Sequence, residues 1–191
     1  MTDRAVLLSI KPKYCELIAS GKKTVEVRKT RPKLETPFKC YIYCTQSELL
    51  TKSHLTGGIY VASNKKYKKL LERRGNLTLS GKVIGEFVCE HISVDAKGYN
   101  QDGVPAHWTL LNGYCLTADE LDDYGKGKML YGLHIANLKI YDKPKELSEF
   151  KKYNRTCYYS DLGFAIPKCS DCRDCNLKRP PQSWCYVQEV E

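Results

Sequence analysis

Three charged residues stand close together in one short stretch of this chain: Lys23, Glu26 and Arg28, within the run Gly21 to Arg28 that reads G-K-K-T-V-E-V-R. An ammonium and a guanidinium are donors suited to a phosphate or a base carbonyl. A carboxylate between them can accept from an exocyclic amine, or simply hold the two cations in place as a same-face ion pair. The same set could also stabilise a pentacoordinate phosphate while Glu26 takes a proton from a ribose hydroxyl. A second constellation lies near the other end, where Cys169, Cys172 and Cys175 follow one another at C-x-x-C spacing and Cys185 comes after nine further residues. Such turns let thiolates converge on one ion, and four thiolates give the closed tetrahedral site of a structural zinc. Three-cysteine runs of this spacing also occur in iron–sulfur proteins; zinc is favoured because no second cluster motif accompanies the run. Cys157 is the alternative fourth ligand, since Pro180 to Val187 reads as a segment that docks on the rest of the chain. Four thiolates leave no open position for catalysis.

The elements around the first constellation follow from period. Pro12 suits a first helical turn, and Tyr14, Leu17 and Ile18 recur at i, i+3, i+4 as one apolar stripe. Gly21 sits where a left-handed residue ends a helix. From Lys23 to Lys29 the period becomes two, with Thr24, Glu26 and Arg28 on one face of a strand and Val25 and Val27 on the other. Lys11, at the mouth of the preceding helix, can join the charged set.

The pattern Gly21-x-Lys23-x-x-Glu26-x-Arg28, preceded by a helix opened by Lys11 and Pro12, resembles the ASCH domain, a member of the PUA-like superfamily. The resemblance spans roughly residues 5 to 142 and extends to Tyr131-Gly132-Leu133-His134-Ile135, similar to a late ASCH strand that carries an aromatic and a histidine. It implies an α+β fold, a small mixed β-barrel with flanking helices, over residues 1–142. Residues 143–191 then form a cysteine-rich extension. It implies binding of RNA or of a modified nucleoside or nucleotide through Lys11, Lys23, Thr24, Glu26 and Arg28, with Trp108 and His134 as further ligand contacts. Two enzyme readings accompany it. A ribonuclease would use Lys23 and Glu26 as catalytic residues. An N4-acetylcytidine-type amidohydrolase is the weaker, because its nucleophile position falls on Glu26, Thr24 is displaced by the motif, and no glutamate lies in Asn112 to Leu116. A protein-interaction module built on the extension is a third option.

Composition sets bounds on these readings. The net charge of +9 is carried by the first half: Lys and Arg against Asp and Glu number 19 to 9 in residues 1–100 and 12 to 13 thereafter. Such a field draws polyanions. A helix capped by Asn64 and ended by Gly75, with Tyr67, Leu70 and Leu71 facing inward, would present Lys65, Lys66, Lys68, Lys69, Arg73 and Arg74 to phosphates. No run of about 18 apolar residues is present, so a membrane span is not expected. Ten cysteines without a signal segment indicate a reducing, cytoplasmic setting, with Cys40 and Cys44 as core residues. Thr117-Ala118-Asp119-Glu120 is a capping box that opens a short acidic helix, and long strands are expected over Gly81–Val94 and Lys128–Tyr141.

Overall fold

The computed structural model describes residues 4–62, 64–95, 113–153 and 175–190, together with the backbone of two short strands at 157–158 and 165–166. Strand β1 (Arg4–Ile10) leads into helix α1 (Pro12–Ala19), which Gly21 (φ +73°) ends, and β2 (Val25–Arg28) follows. Next come β3 (Phe38–Cys44), the hairpin of β4 (Leu49–Lys52) and β5 (Ile59–Ala62), helix α2 (Lys68–Arg73), and β6 (Leu77–Thr78). Strand β7 (Val83–Asp95), helix α3 (Ala118–Gly125) and β8 (Leu130–Lys145) complete the first part; β9 (Cys157–Tyr158), β10 (Ala165–Ile166) and β11 (Trp184–Gln188) belong to the cysteine-rich end. The fold is α+β.

Six strands form the main sheet in the order β11-β1-β3-β7-β8-β2. Strand β1 runs parallel to β3, through Val6↔Cys40 to Ile10↔Cys44, and antiparallel to β11, through Leu7↔Cys185. A strand in such a central place is buried on both faces and reads as a continuous apolar run, as A-V-L-L-S-I does. Val6, Leu8 and Ile10 enter a core with Cys15, Ile18, Cys40, Cys44 and Phe87, where the thiols are small packing residues. Ala5 and Leu7 enter a second core with Tyr41, Tyr43, Phe150 and Val187. The extension therefore covers the face of β3 that would otherwise carry two exposed tyrosines. The buried positions of α1 are Pro12, Cys15 and Ile18, with Tyr14 and Leu17 half-buried beside them.

Strands β4, β5 and β6 form a separate three-stranded sheet against α1, where the Glu16 carboxylate accepts the Val61 N–H at 3.2 Å. The expected helix at 64–75 is shorter than its pattern suggests. A 3-10 turn over Lys65–Tyr67 precedes the six residues of α2. Three residues per turn rather than 3.6 shifts the phase of the stripe, and Tyr67 and Leu70 end up exposed instead of facing inward.

The capping box is present: Thr117 Oγ1 accepts from the Glu120 N–H and the Glu120 carboxylate from the Thr117 N–H. Among the described residues β2 and β1 share no backbone ladder. The sheet instead bends far enough for the Arg28 side chain to span from one to the other. No described helix is long and apolar enough to cross a membrane.

Candidate functional site: a buried charge cluster under a cavity

Lys23, Glu26 and Arg28 are brought together, and all three are buried, at 2%, 5% and 6% exposure. The Glu26 carboxylate sits between the cations, with Arg28 Nη2 at 3.0 Å from Oε1 and Lys23 Nζ at 3.7 Å from Oε2. Lys23 Nζ also donates to the Tyr114 carbonyl at 2.5 Å, and Arg28 Nη2 to the Ser9 carbonyl at 2.9 Å. Buried charges persist only where paired and hydrogen-bonded, and this cluster meets both conditions except at Arg28 Nε, which is buried with no partner among the described residues. Burial holds the Lys23 amine below its ordinary value, against the pull of Glu26 in the other direction.

The covering elements come from far along the chain. The Gly113 carbonyl accepts both the Thr24 and Val25 N–H groups, at 2.8 and 3.0 Å, and pins the start of β2. Val25 and Val27 pack with Tyr114, Leu121 and Leu130 beneath α3. The charged row was expected over a buried apolar row; both rows of β2 are in fact enclosed.

Above the cluster lies a cavity of about 500 Å³. Lys23, Glu26 and Arg28 line it together with Lys11, Ser9, Tyr14, Thr45 and Ser47. Leu116, Glu120, Asp123 and Tyr124 supply a second side, and Gln182 and Ser183 of the extension a third. The Lys23 ammonium stands 5.3 Å from the centre of the Tyr14 ring, and Lys29 Nζ 4.7 Å from that of Tyr124. Burial, then Glu120 and Glu26, raise the Tyr14 phenol above its usual value. Lys13 and Glu120 pair at 3.8 Å across α1 and α3.

Residues 8–100 match the ASCH domain family. The chain carries an ASCH domain. Among solved structures, the ASCH protein of Zymomonas mobilis is 18% identical, with 76% of this chain and 75% of that one covered and a TM-score of 0.49. Two single-residue variants of that protein, tyrosine to phenylalanine and serine to alanine, are each 19% identical with TM-scores of 0.47. The first covers 75% of this chain and 76% of that one, the second 75% and 74%. No curated protein matches the chain.

Other sequence-predicted residues of the ASCH domain fall in different places. Thr24 is exposed and is not among the described residues that line the cavity. His134, opposite Val25 on β8, has its Nε2 3.1 Å from Ser93 Oγ and its ring centre 5.1 Å from that of His91, away from the cavity lining. Lys66, Lys69, Arg73 and Arg74 are exposed on and beside α2. Trp108, Cys169, Cys172 and the side chains of Lys65 and Cys157 lie outside the described residues.

Of the remaining thiols, Cys175 is buried in a turn whose carbonyl accepts the Lys152 N–H at 2.8 Å. Cys185 packs against the apolar cluster of Leu7, Phe150 and Val187. Among the described residues no three metal-binding side chains converge. The sequence did not assign Ser9, Tyr124, Asp123, Gln182 or Ser183 to the site, although Gln182 and Ser183 lie in the segment expected to dock. Tyr14, through its place on the α1 stripe, and Glu120, through the capping box, had local signals.

Proposed function

We propose that this ASCH domain binds RNA or a modified nucleoside or nucleotide, holding one base in the cavity over Lys23, Glu26 and Arg28. One observation carries the reading: a cavity of about 500 Å³ stands over a buried cluster of two cations and a carboxylate. That volume lies within the roughly 300–1,000 Å³ of small-molecule sites. The two tyrosines offer faces on which any base can stack, and Glu26 and Arg28 offer an acceptor and a donor to its edge. The exposed Lys66, Lys69, Arg73 and Arg74 add a phosphate-binding surface.

Binding is favoured over an RNA-cleaving or deacylating role because the charged groups are already committed to one another and to fixed carbonyls. Thr24, the nearest hydroxyl nucleophile in the motif, is not among the residues of the cavity wall.

In this reading residues 1–142 are the ASCH unit, and residues 143–191 an extension that gives β11 to its sheet and Gln182 and Ser183 to the cavity wall. A structural zinc on Cys169, Cys172 and Cys175 would tether the extension, with Cys157 the better fourth ligand because Cys185 is engaged in apolar packing. The setting is cytoplasmic.

The test is to incubate the protein with a cellular RNA pool and free nucleosides and to identify bound and altered species by mass spectrometry, with Tyr14→Leu as a variant that spares the buried charges. Retention of an unaltered base or RNA, weakened about tenfold in the variant, is the expected result. Chemically altered products would make the domain an enzyme, and no retention would overturn the reading.

A further inference from the structure

The cavity is not built by the ASCH domain alone. Pro181 to Ser183, within the extension, is held against it by one residue of β1. Ser9 Oγ donates to the Pro181 carbonyl at 2.6 Å, the Ser9 N–H to the Ser183 carbonyl at 2.9 Å, and the Ser9 carbonyl accepts Arg28 Nη2. The same segment is fixed at a second point two residues past Arg28, where the indole N–H of Trp184 donates to Thr30 Oγ1 at 3.0 Å. Pro180 and Pro181 restrict the approach to this position, so the wall costs little further ordering when a ligand arrives.

Within that wall Gln182 is exposed at the cavity. Its amide makes no hydrogen bond to any described residue, whereas Lys23, Glu26 and Ser9 are all engaged. A carboxamide presents one donor and one acceptor side by side, the arrangement that pairs bidentately with a base edge carrying an acceptor next to a donor. The floor's charged groups are partly engaged with one another and with backbone carbonyls, whereas the Gln182 amide is a donor–acceptor pair on the wall, uncommitted among the described residues.

Resting on the proposed base-binding role of the cavity, we infer that Gln182 of the extension is its specificity-determining residue, reading the polar edge of a nucleobase whose ring lies over the charge cluster. The extension is then part of the binding site, and Ser9 is the residue that positions it.

Binding of cytidine, uridine, adenosine and guanosine, and of short single-stranded RNAs of each base, is measured by calorimetry for the wild type and for Gln182→Ala, Gln182→Glu and Ser9→Ala. The expected result is a loss of about tenfold for the preferred base in Gln182→Ala, with the other bases little changed, so that preference collapses. Gln182→Glu, which replaces the amide donor by a second acceptor, should reorder the bases in favour of those that present donors. Ser9→Ala should weaken preference in the same direction as Gln182→Ala, since Arg28 keeps its backbone acceptor. If the wild type binds a base with clear preference and Gln182→Ala and Gln182→Glu keep both affinity and order, the assignment of Gln182 is overturned while the cavity reading stands. If the wild type binds none of these probes, the cavity reading itself falls and this inference with it.

Discussion

Arg28 donates to the carbonyl of Ser9 across 2.9 Å, and this bond ties together two strands of the main sheet that share no backbone ladder among the described residues. The same guanidinium holds Glu26 at 3.0 Å, so one side chain links β1 to the charge balance of the cavity floor.

Arg28→Met keeps bulk and removes both roles. Glu26 would be left buried with Lys23 alone, 3.7 Å away, and breaking one side of a buried charge cluster costs roughly 3–5 kcal/mol. Urea unfolding should show that loss with the m-value unchanged. A loss under about 1 kcal/mol would mean the cluster contributes nothing to holding β2 in place.

Glu26→Gln tests the opposite charge. Two cations at 2% and 6% exposure would then face each other with only neutral acceptors, and a loss of roughly 3 kcal/mol is expected. Burial already lowers the Lys23 amine and Glu26 opposes that, so removing the carboxylate should lower it further. The Nζ resonance followed by NMR against pH would report it; an unmoved midpoint would contradict the geometry.

Gly113→Ala should cost more than its conformational penalty alone. Gly113 has φ +86°, its carbonyl takes two N–H groups at the start of β2, and a Cβ there would land on Thr24 Oγ1. Gly127→Ala is the control: its φ is +84°, but nothing lies within 4 Å of the added atom. The control should cost only the left-handed penalty of about 1–2 kcal/mol, and Gly113→Ala clearly more. Equal melting temperatures for the two would refute the close approach.

How far these relations could be read from the sequence depended on their range. Helix α1, the alternation from Lys23 to Lys29 and the strands β7 and β8 were legible because each is written in a run of seven or more residues, and Gly21 and the capping box at Thr117 because each is a local signal of residue type at a helix end. The short strands β4, β5 and β6 were not, since two to four residues hold too few periods to show one. The charged residues were legible as a set, but not their enclosure. Lys23 meets a carbonyl 91 positions away and Ser9 one 172 positions away, and no local pattern announces such partners. Tyr41 and Tyr43 alternate with Cys40, Ile42 and Cys44 along β3, yet only the extension that covers them explains their burial.

Alkaline pH should destabilise the fold. Burial raises the thiols of Cys15 and Cys40 well above their usual value, pushes Cys89 up to about 11, and raises the phenols of Tyr14, Tyr41, Tyr43 and Tyr141. Each group keeps its proton in the folded state at a pH where the unfolded chain has lost it. The folded state then binds more protons and stability falls as pH rises. The contribution is complete below the unfolded thiol value of about 8.5 and is lost progressively above it, through about 11 for Cys89. Lys23, lowered by burial, acts in the opposite sense. Urea midpoints at pH 7, 9 and 10.5 should fall monotonically beyond pH 9; a rise would refute the burial of these groups.

Metal removal tests the extension. The purified protein should contain one equivalent of zinc, and a strong chelator should lower its melting temperature. The path of that effect is fixed by three neighbouring segments. The Lys152 N–H donates to the Cys175 carbonyl at 2.8 Å, Lys152 bridges Val187, and β11 pairs with β1 beside the Ser9 contacts. Releasing a metal from Cys175 should therefore reduce hydrogen-exchange protection at Val187 and Gln188, and weaken ligand binding through Pro181–Ser183 without touching Lys23 or Glu26. Protein free of zinc and iron, with melting unaffected by chelation, would remove the metal from this account and leave the extension held by its strand pairing and apolar packing alone.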